Sequence, residues 1–122
     1  MSGWIGVDLD ATLAHYETWG IGEIGDPVPL MAARVHRWLA EGREVRIFTA
    51  RVAATEQTNN IPIPDVQTFI EKQRTLIQDW TEKHFGRRLQ VTATKDYGMV
   101  ELWDDRAVQV IPNTGRRADG RE

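Results

Sequence analysis

The chain of 122 residues is the size of one ordinary domain, and its hydrophobic content of 41% and charged content of 27% are typical of a globular protein. It has no cysteine, which excludes disulfides, thiolate metal sites and cysteine nucleophiles. A formal charge of −3, the lack of a long apolar run and the lack of a signal-peptide pattern predict a cytoplasmic protein without a general attraction to nucleic acid or membranes.

The first part of the chain is predicted to form a strand, a loop and a helix. Residues 4–10 alternate apolar side chains and end in acids, which is typical of a strand. Residues 18–29 are rich in Gly and Pro and predict a loop. The apolar spacing over residues 30–41 predicts a helix that Pro29 begins and Gly42 ends.

The second part of the chain continues the alternation of strands and helices. Further strands are predicted at residues 44–50, 89–93, 99–103 and 108–111. Residues 51–64 are polar, carry two prolines and predict a loop. An apolar stripe from Val66 to His84, which includes Gln73 and Leu76, predicts a long amphipathic helix, which Gly86 ends.

Strands that alternate with helices favour an α/β fold with a mostly parallel sheet, because parallel neighbours need crossover connections. We expect one domain over residues 1–112 and a flexible polar tail over residues 113–122. In sheets of this kind ligands bind beyond the carboxyl ends of the strands. The residues at those ends are therefore the candidates for function.

Polar residues follow three of the predicted strands: Asp8 and Asp10 the first, Thr49 the second, and Asp104 and Asp105 the fourth. The two-residue spacing of Asp8 and Asp10 points both carboxylates to one side of the strand. Like charges this close repel one another, and a hard, oxygen-seeking cation such as Mg²⁺ would relieve the repulsion. The alternative, in which Asp10 only caps a turn, leaves four clustered acids unexplained.

This combination of acids, a hydroxyl and a cation site suits the hydrolysis of phosphate monoesters. That reaction needs a nucleophile in line, neutralised charge on the phosphoryl oxygens and a proton for the leaving group. Asp8 can attack phosphorus to form an acyl phosphate, and Asp10 can protonate the leaving oxygen and then deprotonate water. The Thr49 hydroxyl, the following backbone amides and one lysine would hold the transferred group.

Four short segments resemble, in order, the four motifs of the haloacid dehalogenase-like superfamily. They are Asp8-Leu9-Asp10-Ala11-Thr12, Phe48-Thr49-Ala50-Arg51, Thr94-Lys95-Asp96-Tyr97 and Leu102-Trp103-Asp104-Asp105-Arg106. The resemblance covers residues 4–111 and implies a Rossmann-like, three-layer α/β/α fold and a Mg²⁺-dependent phosphatase activity. Ala11 stands where the superfamily most often has glycine, and it costs little if the backbone there is not left-handed.

The resemblance implies a role for each matching residue. The implied catalytic residues are Asp8 as nucleophile, Asp10 as general acid and base, Thr49 and Lys95. The implied metal ligands are Asp8, Asp10 through its backbone carbonyl, Asp104 and Asp105. The implied substrate-binding residues are Thr49, Ala50, Arg51 and Lys95.

Some of these assignments depend on local structure. Lys95 is preferred to Lys72 and Lys83 as the third-motif lysine, because it follows a strand and can reach the same edge of the sheet. Arg51 and Arg106 suit a second phosphate or a carboxylate of the substrate, but each could equally pair with a nearby acid.

The intervals between the motifs leave no room for a cap domain, since 36 residues separate Thr12 from Thr49 and 45 separate Thr49 from Lys95. We therefore expect an open site that accepts a phosphorylated small molecule or the phosphorylated end of a large partner. A nucleotide or a nucleic-acid end is one class left open, a membrane partner is not expected, and the oligomeric state stays open.

Two other functions are alternatives. A phosphorylatable switch that resembles a response-regulator receiver would also place acids, a Thr and a Lys around one Mg²⁺. Receivers, however, carry the acceptor Asp after a middle strand, whereas here Asp8 follows the first. The other alternative is a non-catalytic binding module on the same fold, although the residues needed for the chemistry are all present.

Overall fold

Four strands and two helices alternate along the described part of the chain, which comprises residues 2–16, 23–53 and 66–121 of this computed structural model. The strands are β1 (Trp4–Val7), β2 (Glu44–Phe48), β3 (Val91–Thr92) and β4 (Met99–Trp103). The helices are α1 (Pro29–Ala40) and α2 (Val66–Phe85), and a 3₁₀ turn spans Ala50–Val52. The predicted loops 18–29 and 51–64 lie partly outside the described residues.

Helix α1 begins and ends as its sequence predicts. Pro29 lies in the first turn, where its ring already has a helical φ and no backbone N–H is needed. After the last turn Gly42 adopts a φ of +79°, and its N–H donates to the Leu39 carbonyl at 3.1 Å. The helix buries the predicted stripe, which consists of Met31, Val35, Trp38 and Leu39.

Helix α2 has the predicted amphipathic pattern with one difference. Its buried side chains are Ile70, Gln73, Ile77, Trp80, Thr81 and Phe85. Leu76, predicted on the buried stripe, is 40% exposed, whereas Thr81 is fully buried. Thr81 Oγ1 donates to the Gln78 carbonyl and accepts the Leu89 N–H, both at 3.0 Å, so its hydroxyl is satisfied inside the protein. Among the described residues, no helix is both long and apolar enough to cross a bilayer.

The described strands form one sheet in the order β3-β2-β1-β4, and every pair is parallel. The predicted α/β class with a parallel sheet is therefore confirmed. Ile5 and Val7 of β1 point to one face, where they join a single buried cluster with Val35 of α1 and Ile77 of α2. Both helices thus cover the same face, and the described residues form two layers.

The opposite face of the sheet is crossed by the connection between β3 and β4. This connection passes the amino end of β1, where Trp4 Nε1–H donates to Asp96 Oδ1 at 2.9 Å. The guanidinium of Arg46 lies 4.5 Å from the centre of the Trp4 ring and 3.8 Å from Asp96. Trp4 alternates with Ile5 along β1, so these contacts lie on the face that the helices do not cover.

The prediction of a fifth strand at residues 108–111 is wrong. In the described part of the chain, Val110 makes a single antiparallel bridge with Arg117 and joins no sheet. Asn113 and Gly115 adopt φ values of +67° and +73°, which reverse the chain within a few residues. The segment therefore pairs with the residues that follow it. Strand β4 has its predicted bounds, and the other three strands are shorter than predicted.

Candidate active site

The carboxyl ends of β1 and β4 bring three of the predicted acids together. Asp8 directly follows β1, and its N–H donates at 2.9 Å to the carbonyl of Trp103, the last residue of β4. Because the two strands are parallel neighbours, Asp104 and Asp105 leave the sheet beside Asp8. Carboxylate oxygens of these three residues lie within 4.8 Å of one another. We call these three residues the acidic cluster.

A tight turn fixes the backbone that follows Asp8. The Leu13 N–H donates to the carbonyls of Asp8 and Leu9, at 3.2 and 3.0 Å. Leu9 and Leu13 are fully buried and anchor the turn in the core. Within the turn Ala11 has a φ of +70°, so the condition under which alanine costs little is not met. A left-handed alanine carries a strain of about 1 kcal/mol that glycine would avoid.

The Thr12 hydroxyl joins this turn to the segment after β4. Thr12 Oγ1 lies 3.3 Å from Asp8 Oδ2 and 3.1 Å from Asp105 Oδ1, and it accepts the Asp105 N–H at 3.1 Å. No role was predicted for Thr12, although its spacing of four residues from Asp8 was a usable signal. In a tight turn, residues at that spacing lie side by side.

The pKa of Asp8 is raised to about 7, from an ordinary value of 3.8. Burial is the main cause, followed by a hydrogen bond with Asp105 and by the charges of Asp104 and Asp105. Burial would raise the pKa of Asp105 too, but hydrogen bonds with Asp8 and Thr12 outweigh it and lower that pKa. Below that pKa Asp8 holds a proton, and Asp105 is the carboxylate that can accept it in a hydrogen bond.

The acidic cluster has the donor atoms that a hard metal cation requires. It offers three carboxylates and no nitrogen or sulfur donor, and a bound cation would offset the repulsion that the charges of Asp104 and Asp105 exert on Asp8. A bound cation would displace the proton from Asp8. Of the four predicted ligands, the carboxylate of Asp10 lies outside this cluster. A ligand role for the Asp10 carbonyl stays a prediction.

The Asp10 carboxylate forms a bidentate salt bridge with Arg51. Arg51 Nε donates to Asp10 Oδ2 at 2.8 Å, and Nη2 donates to Oδ1 at 2.9 Å. Nη2 also donates to the Glu23 carbonyl at 2.6 Å, and Nη1 donates to Gln73 Oε1 at 3.2 Å. Of the two interpretations of Arg51, the geometry favours pairing with an acid. Gln73, a site residue that the sequence did not suggest, was predicted only as part of the buried stripe of α2.

A pocket of about 240 Å³ lies above this edge of the sheet. Its lining residues are Asp8, Asp10, Ala11, Tyr16, Thr49, Ala50, Arg51, Asp104, Asp105 and Arg106. Thr49 is buried, its N–H donates to the Thr92 carbonyl at 2.9 Å, and its Oγ1 accepts the Arg51 N–H at 3.2 Å. The Thr49 hydroxyl proton therefore remains available to a ligand in the pocket.

The predicted lysine does not line this pocket. Lys95 is exposed, and the neighbouring Asp96 is held by Trp4 at the amino end of β1. Its competitor Lys72 lines a separate depression of about 520 Å³ along the outer side of α2, whose lining includes none of the residues of the acidic cluster. A phosphate-binding role for Lys95 stays a prediction.

Comparison with protein-family models, with curated proteins and with solved structures found no match for this chain. Function is therefore inferred from the side chains of the pocket. They combine an acidic cluster, a second carboxylate paired with arginine, a buried hydroxyl and a cationic Arg106. Such a set can bind a cation, hold an anionic ligand beside it and move protons.

Proposed function

We propose that the chain is a Mg²⁺-dependent phosphomonoester hydrolase that acts through a phospho-aspartate intermediate on Asp8. The observation that carries this proposal is the contrast between Asp8 and Asp10, which lie two residues apart and both line the pocket. Asp8 belongs to the acidic cluster, whereas Asp10 pairs with Arg51. Asp8 belongs to the cluster that would hold a cation and lose its proton to it, which suits the nucleophile, and Asp10 outside that cluster suits the acid and base.

Asp8 suits the nucleophilic role. An Asp8 carboxylate oxygen attacks phosphorus, the new O–P bond forms, and the ester P–O bond to the leaving group breaks. Asp8, Asp104 and Asp105 would hold Mg²⁺, which when bound supplies the positive charge that neutralises the phosphoryl oxygens. The Thr12 hydroxyl contacts the carboxylates of both Asp8 and Asp105 and so holds the two side chains beside each other.

Asp10 suits the proton transfers of both steps. In the first step it donates a proton to the oxygen of the leaving group. In the second step it takes a proton from water, whose oxygen attacks phosphorus and releases inorganic phosphate from Asp8. The two residues lie on the same turn, so one ligand in the pocket can contact both.

The phosphoryl group would be held by Thr49, Ala50 and Arg106, all of which line the pocket. The Thr49 hydroxyl can donate to a phosphoryl oxygen, and Arg106 makes no ion pair with a described residue. Lys95 would have to extend into the pocket from outside to take part. A cationic and hydroxylic rim of this kind suits a phosphate dianion.

The same proposal places the chain in the haloacid dehalogenase-like superfamily, of whose Rossmann-like, three-layer fold the described residues form two layers. Its support is the order of the four motifs and the parallel sheet with acids at one edge. With respect to the described residues, the pocket is open to solvent at Tyr16, which is 55% exposed. An open pocket is suited to a nucleotide or to the phosphorylated end of a larger molecule.

Release of inorganic phosphate from a panel of phosphate monoesters tests this function. We expect release with Mg²⁺, loss of release with a chelator, and a decrease of about 10³-fold or more in Asp8→Asn, because amide nitrogen and oxygen cannot replace the nucleophile. Asp79→Asn is the matched control, since Asp79 lies on the surface of α2 in an exposed ion pair with Arg88.

Three results would count against the proposal in different ways. Full activity in Asp8→Asn would contradict the nucleophile. Equal activity with Mg²⁺ and with chelator would contradict the metal. A protein that binds Mg²⁺ but releases no phosphate from nucleotides, sugar phosphates or 5′-phosphorylated oligonucleotides would favour the binding-module alternative.

A further inference from the structure

Arg51 has almost no hydrogen-bonding capacity left for a substrate. A guanidinium carries five N–H groups. In Arg51, four of them are taken by Asp10, which accepts two, and by Gln73 and the Glu23 carbonyl, which accept one each. The side chain of Arg51 is also only 12% exposed.

We infer that Arg51 is a positioning residue for Asp10 rather than a ligand for phosphate, and that Gln73 in turn positions Arg51. This inference rests on the proposed function. Bidentate binding of phosphate requires two N–H groups on one edge of the guanidinium. Asp10 occupies the edge formed by Nε and Nη2, and Gln73 and Glu23 occupy the edge formed by Nη1 and Nη2.

Gln73 explains why the guanidinium has this orientation. Gln73 lies on the buried stripe of α2 between Ile70 and Ile77, and it is only 6% exposed. A buried amide needs a hydrogen-bond partner, and Arg51 Nη1 supplies one to Gln73 Oε1. Helix α2 therefore orients the guanidinium of Arg51 through Gln73, and the guanidinium in turn orients both carboxylate oxygens of Asp10.

We expect these contacts to orient the Asp10 carboxyl group toward the oxygen of the leaving group. Each Asp10 oxygen accepts one N–H from Arg51 and keeps a second lone pair on which the transferred proton can lie. As the ester P–O bond breaks, that proton passes from Asp10 to the leaving oxygen. Arg51 keeps its own protons throughout.

Two esters with different leaving groups can distinguish a role of Arg51 in positioning Asp10 from a role of Arg51 in binding phosphate. The nitrophenolate leaving group of p-nitrophenyl phosphate departs without a proton, whereas the alcohol of glycerol 2-phosphate requires one. In Arg51→Met we expect kcat with glycerol 2-phosphate to fall about 100-fold. The first step with p-nitrophenyl phosphate, measured as the pre-steady-state burst of nitrophenolate, should slow less than about 5-fold, because only the second step of that reaction needs Asp10. KM should change little for either ester.

A matched pair of variants at Gln73 tests the second half of the inference. Gln73→Met keeps the length of the side chain and removes the acceptor, so we expect a loss of about 10-fold in kcat with glycerol 2-phosphate and again little change in the burst of nitrophenolate. Gln73→Glu keeps an acceptor for Arg51 and should restore kcat to within about 3-fold of the original protein. Thermal unfolding of every variant checks that it is folded.

Two further arginine variants are the controls. Arg106→Met removes an arginine of the pocket that is proposed to bind phosphate, and it should raise KM for both esters alike. Arg87→Met changes an exposed arginine beyond the end of α2 and should leave both activities unchanged.

Equal losses in Arg51→Met of kcat with glycerol 2-phosphate and of the nitrophenolate burst rate, accompanied by a raised KM, would overturn the inference and make Arg51 a phosphate ligand. Full activity of Gln73→Met with glycerol 2-phosphate would overturn the role of Gln73. If the original protein releases phosphate from neither ester nor from the wider panel, the proposed function itself fails, and this inference fails with it.

Discussion

The carboxyl group of Asp8 destabilises the metal-free protein at neutral and alkaline pH. Its folded pKa is about 7, against an ordinary value of 3.8. Between these values the folded protein holds a proton that the unfolded chain has released. The stability linked to this proton is fully present below about pH 4 and is lost as the pH rises through about 7. Above that pH, three carboxylates face one another without a proton between them.

We therefore expect Asp8→Asn to stabilise the metal-free protein at pH 8, because the amide removes one of the three charges. After allowance for screening by solvent, the gain should be about 1 kcal/mol, or about 4 °C in Tm. Thermal unfolding in chelator at pH 8 and at pH 4.5 measures it, and the gain should shrink at the lower pH. A variant no more stable than the original protein at pH 8 would contradict this account of the cluster.

At the scale of single residues, the sequence predicted most of the side chains that reach the site. It predicted less well which of these side chains pair with one another. Asp8, Thr49 and Asp104 were predicted at strand ends, and parallel strands place those ends at one edge. The pairing of Arg51 with Asp10 was left open, because it depends on Gln73, a contact across 22 positions that no local pattern specifies. The position of Lys95 likewise depends on the path of a connection.

At the scale of secondary-structure elements, Thr81 connects the end of α2 to the segment that leads into β3 through a hydrogen bond. Thr81 is fully buried, and its hydroxyl accepts the Leu89 N–H at 3.0 Å. We expect Thr81→Val to lower the free energy of unfolding by about 2 kcal/mol, since valine leaves a buried N–H without a partner. Urea denaturation measures this loss.

Thr75→Val is the matched control for that prediction, because Thr75 is exposed on the same helix. It should change the free energy of unfolding by less than about 0.5 kcal/mol. Equal effects of the two substitutions would show that β-branching in the helix, rather than the hydroxyl of Thr81, determines the loss.

The elements themselves were predictable to different degrees. Both helices were predicted with their glycine ends, since Gly42 and Gly86 have the positive φ that such ends require. The segment 108–111 has the apolar pattern of a strand, but pattern alone does not supply a neighbour with which to pair. The turn at Asn113 and Gly115 returns the chain onto this segment.

For the molecule as a whole, a cation in the acidic cluster would join the first described strand to the last. Because Mg²⁺ would bind only the folded protein, a concentration 100-fold above Kd should stabilise it by about 2.7 kcal/mol. For a chain of 122 residues this corresponds to a rise of about 10 °C in Tm. Thermal unfolding across a series of Mg²⁺ concentrations measures the rise.

Asp8→Asn should show a much smaller rise in Tm with Mg²⁺ than the original protein, since it removes one of the three carboxylates. Ionic strength is held constant with a monovalent salt, so that general screening does not contribute. An unchanged Tm in the original protein at every Mg²⁺ concentration would contradict a metal site in the cluster.

The adjacency of β1 and β4 in the sheet also bears on the biosynthesis of this protein. A nascent chain that extends only as far as β3 contains Asp8 and Asp10 but neither Asp104 nor Asp105. It also lacks the Trp103 carbonyl that holds the Asp8 N–H. If the acidic cluster binds a divalent cation as proposed, that affinity would arise only after the final strand has docked. Incomplete translation products would then contain the proposed nucleophile without the bound cation, and are expected to be inert.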